Sequence, residues 1–204
     1  MKTTLFWTAL ILSFVASAQQ KGQLEMGFGL GVNMASVSDE YDNSDTRYGF
    51  NAAASADYYF SDSWSIKAKL IYDQKGWNNG ALYDTSTADF FPTDYQLTYI
   101  TVPVMAGWHF APKRNWYLNF GLYAGFLTSA EATNFNYDVK DQFNPTDFGV
   151  ALAVGVKIPV NDKIKIFVEY DGQGGFNDIF KDNFDSAVTT GRSAINVGIN
   201  FLAN

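Results

Sequence analysis

Ten charged residues occupy odd-numbered positions in stretches whose even-numbered positions are mostly apolar. Because successive side chains of a β-strand point to opposite faces, this parity places all ten on one face. Five are acidic and five are basic, so the face could either pair its charges or pass ions or protons between them. The predicted inward charge network consists of Glu25, Asp57, Lys67, Lys69, Asp73, Lys75, Lys157, Lys165, Glu169 and Asp171.

The alternation that positions these charges continues through most of the chain after residue 24. In 116–128, for example, the even positions include Trp116 and Leu118, and the odd positions include Tyr117 and Asn119. Strands of at least about 9–11 residues whose side chains alternate between apolar and polar are typical of transmembrane β-barrels. Ring closure there pairs every backbone N–H and C=O. We therefore predict an all-β fold, a single antiparallel up-and-down barrel of about eight strands.

Short and long connections alternate between the predicted strands, and the short ones lie at 61–64, 111–115 and 160–163. Bacterial barrels keep short turns in the periplasm and long loops outside the cell. We expect an integral protein of the bacterial outer membrane with periplasmic termini and extracellular long loops. The predicted strands cover 25–37, 47–60, 65–77, 95–110, 116–128, 147–159, 164–175 and 192–202.

The first 18 residues have the composition of a secretory signal peptide. Lys2 supplies the positive charge, 5–15 the apolar run, and Ala16-Ser17-Ala18 the small-residue cleavage site. We expect residues 19–204 to form one barrel domain, because no later stretch reaches the roughly 20 apolar residues of a transmembrane helix. The sequence contains no cysteine, which excludes disulfides, thiol catalysis and cysteine-ligated metals.

The interior of such a barrel allows two interpretations of the charge network. Eight strands leave a lumen only wide enough for side chains, so the charges could form a paired polar plug without a pore. The alternative is a gated ion path or proton relay through Lys67, Lys69, Glu169 and Asp171.

The glycine run at Gly27, Gly29 and Gly31 has period two and no helical pattern after it. It therefore differs from the dinucleotide-binding fingerprint, which opens a helix. We expect these glycines to face inward and to relieve crowding in the lumen.

A lipid-modifying barrel would need a serine or threonine nucleophile beside a base. His109 is the only histidine, and it has inward parity just before a short turn, far from the lipids of the outer leaflet. We predict no catalytic residue, cofactor or metal site, and lipid modification remains an alternative function.

Aromatic residues collect where the predicted strands leave the hydrocarbon, as expected for two interfacial girdles. One girdle would flank the short turns and the other the long loops. The predicted girdle residues are Tyr48, Tyr58, Phe60, Trp64, Trp77, Tyr95, Trp108, Phe110 and Trp116.

Pro103 interrupts a predicted strand, and a proline in a closed sheet removes a donor from the ladder. We expect a β-bulge there, which would leave the facing of Tyr99, Thr101 and Met105 open.

The long connections at 38–46, 78–94, 129–146 and 176–191 contain thirteen acidic and two basic residues, in a chain of net charge −7. This distribution argues against nucleic-acid binding, which requires a basic patch. The acidic residues either keep the loops soluble or bind divalent cations, by bridging to lipopolysaccharide or at a Ca²⁺ site in 39–45.

Aromatic residues are also frequent in the long connections. They either form a contact surface for a partner or pack over the barrel mouth. These residues are Tyr83, Phe90, Phe91, Phe135, Tyr137, Phe143, Phe176, Phe180 and Phe184.

Several strands resemble those of the PorT-like outer membrane β-barrel family of Bacteroidota, a group of OmpA-like small barrels. The similarity is carried by Tyr99-Ile100-Thr101-Val102-Pro103-Val104-Met105-Ala106-Gly107, Trp116-Tyr117-Leu118-Asn119-Phe120-Gly121-Leu122-Tyr123-Ala124-Gly125, Asp147-Phe148-Gly149, Gly155-Val156, Glu169-Tyr170 and Asn177-Asp178-Ile179. Such barrels commonly end on an aromatic residue, whereas here Phe201 is followed by Leu202-Ala203-Asn204.

The resemblance implies an outer membrane location, assembly by the barrel-insertion machinery and, in some relatives, accessory roles in protein secretion or gliding motility. We expect a non-enzymatic structural or accessory scaffold of the Gram-negative cell envelope. Its partners would be outer membrane lipids and lipopolysaccharide, the insertion machinery and envelope secretion or motility proteins. A narrow channel or small-ligand-binding, porin-like barrel is the main alternative.

Overall fold

A computed structural model of the chain describes residues 21–38, 44–84, 89–182 and 186–203; the predicted signal peptide lies outside them. Their secondary structure is almost entirely β. The elements are β1 (Leu24–Ser38), β2 (Asp45–Tyr59), β3 (Trp64–Asp84), β4 (Asp89–Phe110), β5 (Trp116–Ala132), β6 (Tyr137–Asp138), a 3-10 helix (Lys140–Gln142), β7 (Thr146–Pro159), β8 (Ile164–Gly175) and β9 (Thr189–Leu202).

Eight of these strands form a closed antiparallel ring. Each ring strand pairs with the next in the chain, β5 pairs directly with β7, and β9 pairs with β1 from Glu25 opposite Leu202 to Ser38 opposite Thr189. The two-residue β6 lies outside the ring against the end of β5. This topology confirms the predicted up-and-down barrel of eight strands. No helix in the described ranges is long and apolar enough to cross a membrane.

Side chains alternate strictly between the two surfaces of the ring over most of each strand. On β1, Phe28 and Leu30 are 57% and 64% exposed on the outside, while Glu25 and Asn33 on the other parity are fully buried inside. The outer surface is therefore an apolar band, as a lipid-facing surface has to be.

The connections at one end of the ring are tight and internally hydrogen-bonded. Asn161 Oδ1 accepts the backbone N–H groups of Lys163 and Ile164 at 2.9 and 2.8 Å. Both ends of the described chain lie at this short-turn end, because Gly22 N donates to Tyr59 O and Ala203 N donates to Leu24 O.

At the opposite, long-loop end, β3 and β4 extend much further than predicted. They contain 21 and 22 residues and pair as far as Asp84 opposite Asp89, so the prediction of a loop over 78–94 is wrong. A register shift between Trp77 and Gly80, with Asn79 at a φ of 59°, accommodates the polar residues that resembled a loop. The hairpin thus continues beyond a bulge.

The prediction of a bulge at Pro103 is also wrong. The register between β3 and β4 is the same on both sides of it, with Ala68 opposite Val104 and Ile71 opposite Thr101. The ladder loses pairs around the proline, which has no N–H, but the strand does not shift. Tyr99, Thr101 and Met105 are consequently all buried inside the ring.

Seven of the nine predicted girdle residues have side chains at least partly exposed on the outer surface, but Trp77 and Tyr95 do not. Their side chains are 5% and 4% exposed and lie inside the ring, so the prediction is wrong for these two residues. The reason is parity, because Trp77 shares its face of β3 with Lys75, and Tyr95 shares its face of β4 with Leu97. The outward girdle residues are Tyr48, Tyr58, Phe60, Trp64, Trp108, Phe110 and Trp116.

The glycines of β1 face inward, as predicted, and they do so because neighbouring side chains occupy the space. A Cβ on Gly31 would lie 2.0 Å from Asn196 Oδ1 and 2.8 Å from Ile195 O, and one on Gly29 would lie 2.7 Å from the Phe167 ring. Side chains from the neighbouring strands therefore fill the lumen where β1 has none.

We predict that Gly31→Ala lowers the free energy of unfolding by about 1–3 kcal/mol, because the added methyl group overpacks the lumen. Gly191→Ala is the matched control, since its Cβ would come no closer than 3.7 Å to another atom. Urea titrations of the barrel in detergent micelles, followed by the heat-modifiable gel shift, measure both variants. Equal shifts of the two midpoints would contradict this prediction.

Candidate functional site: the barrel lumen

The ten residues of the predicted charge network all lie inside the ring, and each is at most 8% exposed. Asp147 and Arg192 lie there too, and sequence analysis missed them because they fall at the margins of β7 and β9. The inward facing of Arg192 could have been predicted, because Arg192 has the same parity as Asn196 and Asn200 on β9. With these two residues, the buried side chains that the structure describes inside the ring include six carboxylates and six lysine or arginine groups.

Near the short-turn end, Lys157 is the centre of a buried cluster. Its Nζ donates to Glu25 Oε2 at 2.5 Å, Asp57 Oδ2 at 2.9 Å and Tyr59 Oη at 2.6 Å. Lys165 also donates to Glu25. The three donors of the Lys157 ammonium are therefore matched by three acceptors, which satisfies a charge that is costly to bury unpaired.

The middle of the lumen contains the four residues of the predicted ion path. Lys69 Nζ donates to Glu169 and, at 3.1 Å, to Asp171 Oδ2, while Lys67 Nζ reaches Glu169 Oε2 at 3.4 Å. Lys67 also lies over the ring of Tyr117, with Nζ 5.0 Å from its centroid. These groups pair with each other across the lumen and leave only a cavity of about 10 Å³ between them.

Arg192 extends this pairing toward the long-loop end. Its guanidinium donates to Asp171 and, through Nε at 3.0 Å, to Asp73 Oδ1. Asn33 donates to the same Asp73 oxygen at 2.8 Å, so β1, β3, β8 and β9 are joined at one level. Asn33 in turn accepts a hydrogen bond from Asn51 at 2.7 Å.

The last buried ion pair joins Lys75 to Asp147, with Nζ 2.9 Å from Oδ2. The hydroxyl groups of Tyr123 and Thr190 also donate to Asp147, at 3.1 and 2.9 Å. Lys75 Nζ lies 4.6 Å from the centroid of the Tyr123 ring, within the range of a cation–π contact. The Asp147 carboxylate therefore forms an ion pair with Lys75 and accepts hydrogen bonds from two hydroxyl groups.

Above this pair, aromatic side chains close the long-loop end of the lumen. Trp77 stacks on Tyr95 with ring centroids 4.6 Å apart, and Phe143 stacks on Phe180 at 4.9 Å. Two loops carry the second pair, and Asn144 joins them by donating to the carbonyl groups of Asp178 and Phe180 at 2.9 Å each. We call Trp77, Tyr95, Phe143 and Phe180 the aromatic lid.

The structure places only some of these aromatic residues over the barrel mouth. Phe143 and Phe180 pack over the mouth, whereas other loop aromatics are exposed. The Tyr83 side chain and Phe184 lie outside the described residues. The exposed members of the predicted set are Phe90 and Phe91 on β4, Tyr137 on β6, and Phe135 and Phe176.

His109 is inside the ring near the short-turn end, and its Nε2 lies 2.9 Å from Ser65 Oγ. This is nucleophile-to-base distance, but no acidic group contacts His109 Nδ1, which has no hydrogen-bond partner. Both side chains are at most 1% exposed. The pair therefore lacks the orienting group and the substrate access that hydrolysis requires.

Metal ligands are not brought together in the part of the chain that the structure describes, where no three histidine or acidic side chains could hold an ion. Most of the predicted Ca²⁺ segment, 39–43, lies outside those residues.

We predict that Lys75→Met lowers the free energy of unfolding by about 3–5 kcal/mol, because it leaves Asp147 as a buried uncompensated charge. Adding Asp147→Asn should recover much of that loss. The control is Arg114→Met, which breaks the exposed Arg114–Asp62 pair at 3.4 Å and should cost less than about 1 kcal/mol. The same urea titration tests all three variants, and a Lys75→Met loss no larger than that of the control would contradict the prediction.

Three solved outer membrane proteins are similar to this chain in fold. OprG from Pseudomonas aeruginosa is 9% identical with a TM-score of 0.57, and the match covers 91% of this chain and 97% of OprG. Neisserial surface protein A is 18% identical with a TM-score of 0.50, covering 86% and 96%. AlkL, solved in lipid bilayers, is 9% identical with a TM-score of 0.51, covering 93% of each chain. At these identities the likeness concerns the fold alone.

Sequence comparisons give the family. Comparison with curated proteins yields no match. The model of the family described as "Outer membrane protein beta-barrel domain" matches residues 17–181, which is most of the chain. Together with the closed ring and its apolar outer band, this match leads to one conclusion. The chain belongs to the outer membrane β-barrel protein family and is an integral protein of the bacterial outer membrane.

Proposed function

We propose that this barrel is a non-enzymatic scaffold of the cell envelope that does not conduct ions. The observation that supports the proposal is a lumen filled by mutually paired charges beneath the aromatic lid. Opening a path through Lys69, Glu169 and Asp171 would separate buried ion pairs and leave their charges uncompensated, which is unfavourable. A resting barrel with this lumen is closed.

The surfaces that remain for function are the long loops and the short turns. The long loops are acidic and present exposed aromatic side chains, which are common at protein contact surfaces. We propose outer membrane lipids and lipopolysaccharide, the barrel-insertion machinery and a further envelope protein as partners. The resemblance to PorT-like barrels favours an accessory role in secretion or motility.

We also propose that the short turns and both termini of the barrel lie in the periplasm. Short periplasmic turns and longer extracellular loops are general among bacterial barrels. The long-loop end then faces outward.

Ion conduction is a direct test of whether the lumen is closed. We expect the purified barrel to give no conductance steps in planar lipid bilayers at any applied voltage, because the ion pairs and the aromatic lid block the lumen. A general porin inserted under the same conditions is the positive control. Reproducible steps from this barrel would overturn the closed-scaffold proposal in favour of the narrow-channel alternative.

The orientation can be tested with single-cysteine variants, because the sequence contains no cysteine. We expect an impermeant maleimide to label Lys181→Cys but not Lys163→Cys in intact cells, because these exposed residues lie at opposite ends of the ring. Labelling of Lys163→Cys alone would reverse the orientation.

Cysteine-directed cross-linking of the same two variants, followed by mass spectrometry, tests the scaffold role. We expect one of them to capture an envelope protein reproducibly, and the variant that succeeds identifies the contacting end. Capture of lipopolysaccharide and the insertion machinery alone, at both ends, would contradict an accessory role.

A further inference from the structure

The two ends of the ring differ in the sign of their charge. The long connections are strongly acidic, whereas basic residues outnumber acidic ones at the short-turn end in the part of the chain that the structure describes. Outside the lumen, that end carries Lys21, Lys113, Arg114 and Lys163 against Asp62 and Asp162. Arg114 forms an ion pair with Asp62 at 3.4 Å. The excess of positive charge therefore comes from the three lysines.

The three lysines follow one another along one side of the ring, and we call Lys21, Lys113 and Lys163 the basic arc. The turn with Lys113 precedes β5, the turn with Lys163 follows β7, and β5 and β7 pair directly. Lys163 O accepts a hydrogen bond from Leu202 N of β9 at 2.8 Å. Because β9 pairs with β1, which Lys21 precedes, the arc runs continuously from β5 to β1.

The charges of the basic arc are available to a partner. All three lysines are exposed, and none of them forms an ion pair with another described residue. Asp162 is also exposed in this segment, so three lysines and one aspartate give the arc a net charge of +2. An anionic partner would therefore meet ammonium groups that the protein itself leaves uncompensated.

The aromatic girdle gives the depth of the basic arc in the membrane. Trp64, Trp108 and Trp116 are 38–45% exposed on the outer surface at this end. Indole rings prefer the headgroup zone of a bilayer, and Lys113 lies only three positions before Trp116. Lipid headgroups thus already surround the arc, whereas an acidic protein would have to displace them. This position favours a lipid as the partner.

We propose that the basic arc binds the headgroups of anionic phospholipids and selects them over zwitterionic ones. Each lysine ammonium presents a compact charge and three donors to a lipid phosphate. A zwitterionic headgroup has the same phosphate but adds a cation, which the lysines repel. Basic side chains at a membrane surface attract anionic lipids in this way.

This inference rests on the lipid contact included in the proposed function, and it names the headgroup charge and the part of the ring involved. It does not depend on whether the barrel is an accessory scaffold or on which side of the membrane the short turns face. The acidic long-loop end does not share the preference.

Tryptophan fluorescence reports on this end of the barrel. Apart from Trp7 in the predicted signal peptide, the tryptophans are the three of the girdle and Trp77, which lies inside the ring out of reach of lipid. The barrel is reconstituted into two equimolar bilayers of phosphatidylglycerol and phosphatidylcholine. In one bilayer only the phosphatidylglycerol has brominated acyl chains, and in the other only the phosphatidylcholine has them. Bromine quenches tryptophans that it contacts, so the ratio of the two quenching efficiencies measures lipid selection.

We expect the ratio to show about two- to five-fold enrichment of phosphatidylglycerol at low ionic strength. The enrichment should disappear in 1 M NaCl, where the Debye length is about 3 Å. Equal quenching in both bilayers at low ionic strength would overturn the selectivity, although it would leave the lipid contact intact. Absence of quenching in both would contradict the lipid contact as well.

Substitutions assign the selection to the basic arc. Combining Lys21→Gln, Lys113→Gln and Lys163→Gln should lower the enrichment to about one-fold, because the arc then has no cation. The matched control combines Lys140→Gln and Lys181→Gln, which remove the exposed lysines of the long-loop end and should leave the enrichment unchanged. The heat-modifiable gel shift verifies that both variants are folded. Full enrichment in the folded triple variant would overturn the proposal.

Discussion

A sheet can cross hydrocarbon only if it closes on itself, because no water is present to hydrogen-bond a free strand edge. Closing eight strands leaves an interior little wider than the side chains that point into it. Each inward side chain must then fit beside its neighbours and pair with their charges or hydrogen-bonding groups. At the inward positions, ion-paired side chains, hydrogen-bonded asparagines and glycines meet that requirement. The outward positions need only be apolar.

Much of this architecture could be predicted from the sequence, because strand periodicity is a local property. Parity alone identified the inward charges from Glu25 to Asp171, and it separated them from outward residues such as Phe28. The same rule, applied to Trp77 and Tyr95, puts them on the inward face with Lys75 and Leu97, whereas the preference of aromatic rings for the membrane interface predicts the outward face. A strict period-two count is therefore a better guide to facing than residue type.

The remaining features depend on contacts between distant segments, and the sequence does not encode these locally. The aromatic lid brings Phe143 and Phe180 together from two loops that are linked by Asn144. The unshifted strand at Pro103 reflects the pairing on both of its sides, which outweighs the loss of one donor. The extended β3 and β4 hairpin depends on a bulge at a polar segment that resembles a loop.

The long reach of the Glu25 contacts also bears on how the barrel is assembled. Glu25 lies in the first strand, whereas its partners Lys157 and Lys165 follow 132 and 140 positions later. Its carboxylate can therefore pair with Lys157 and Lys165 only where β1 and the last strands of the ring are together. A register slip of one residue would also turn the apolar face of the slipped strand inward. The ion pairs of Glu25 therefore require the complete, correctly registered ring.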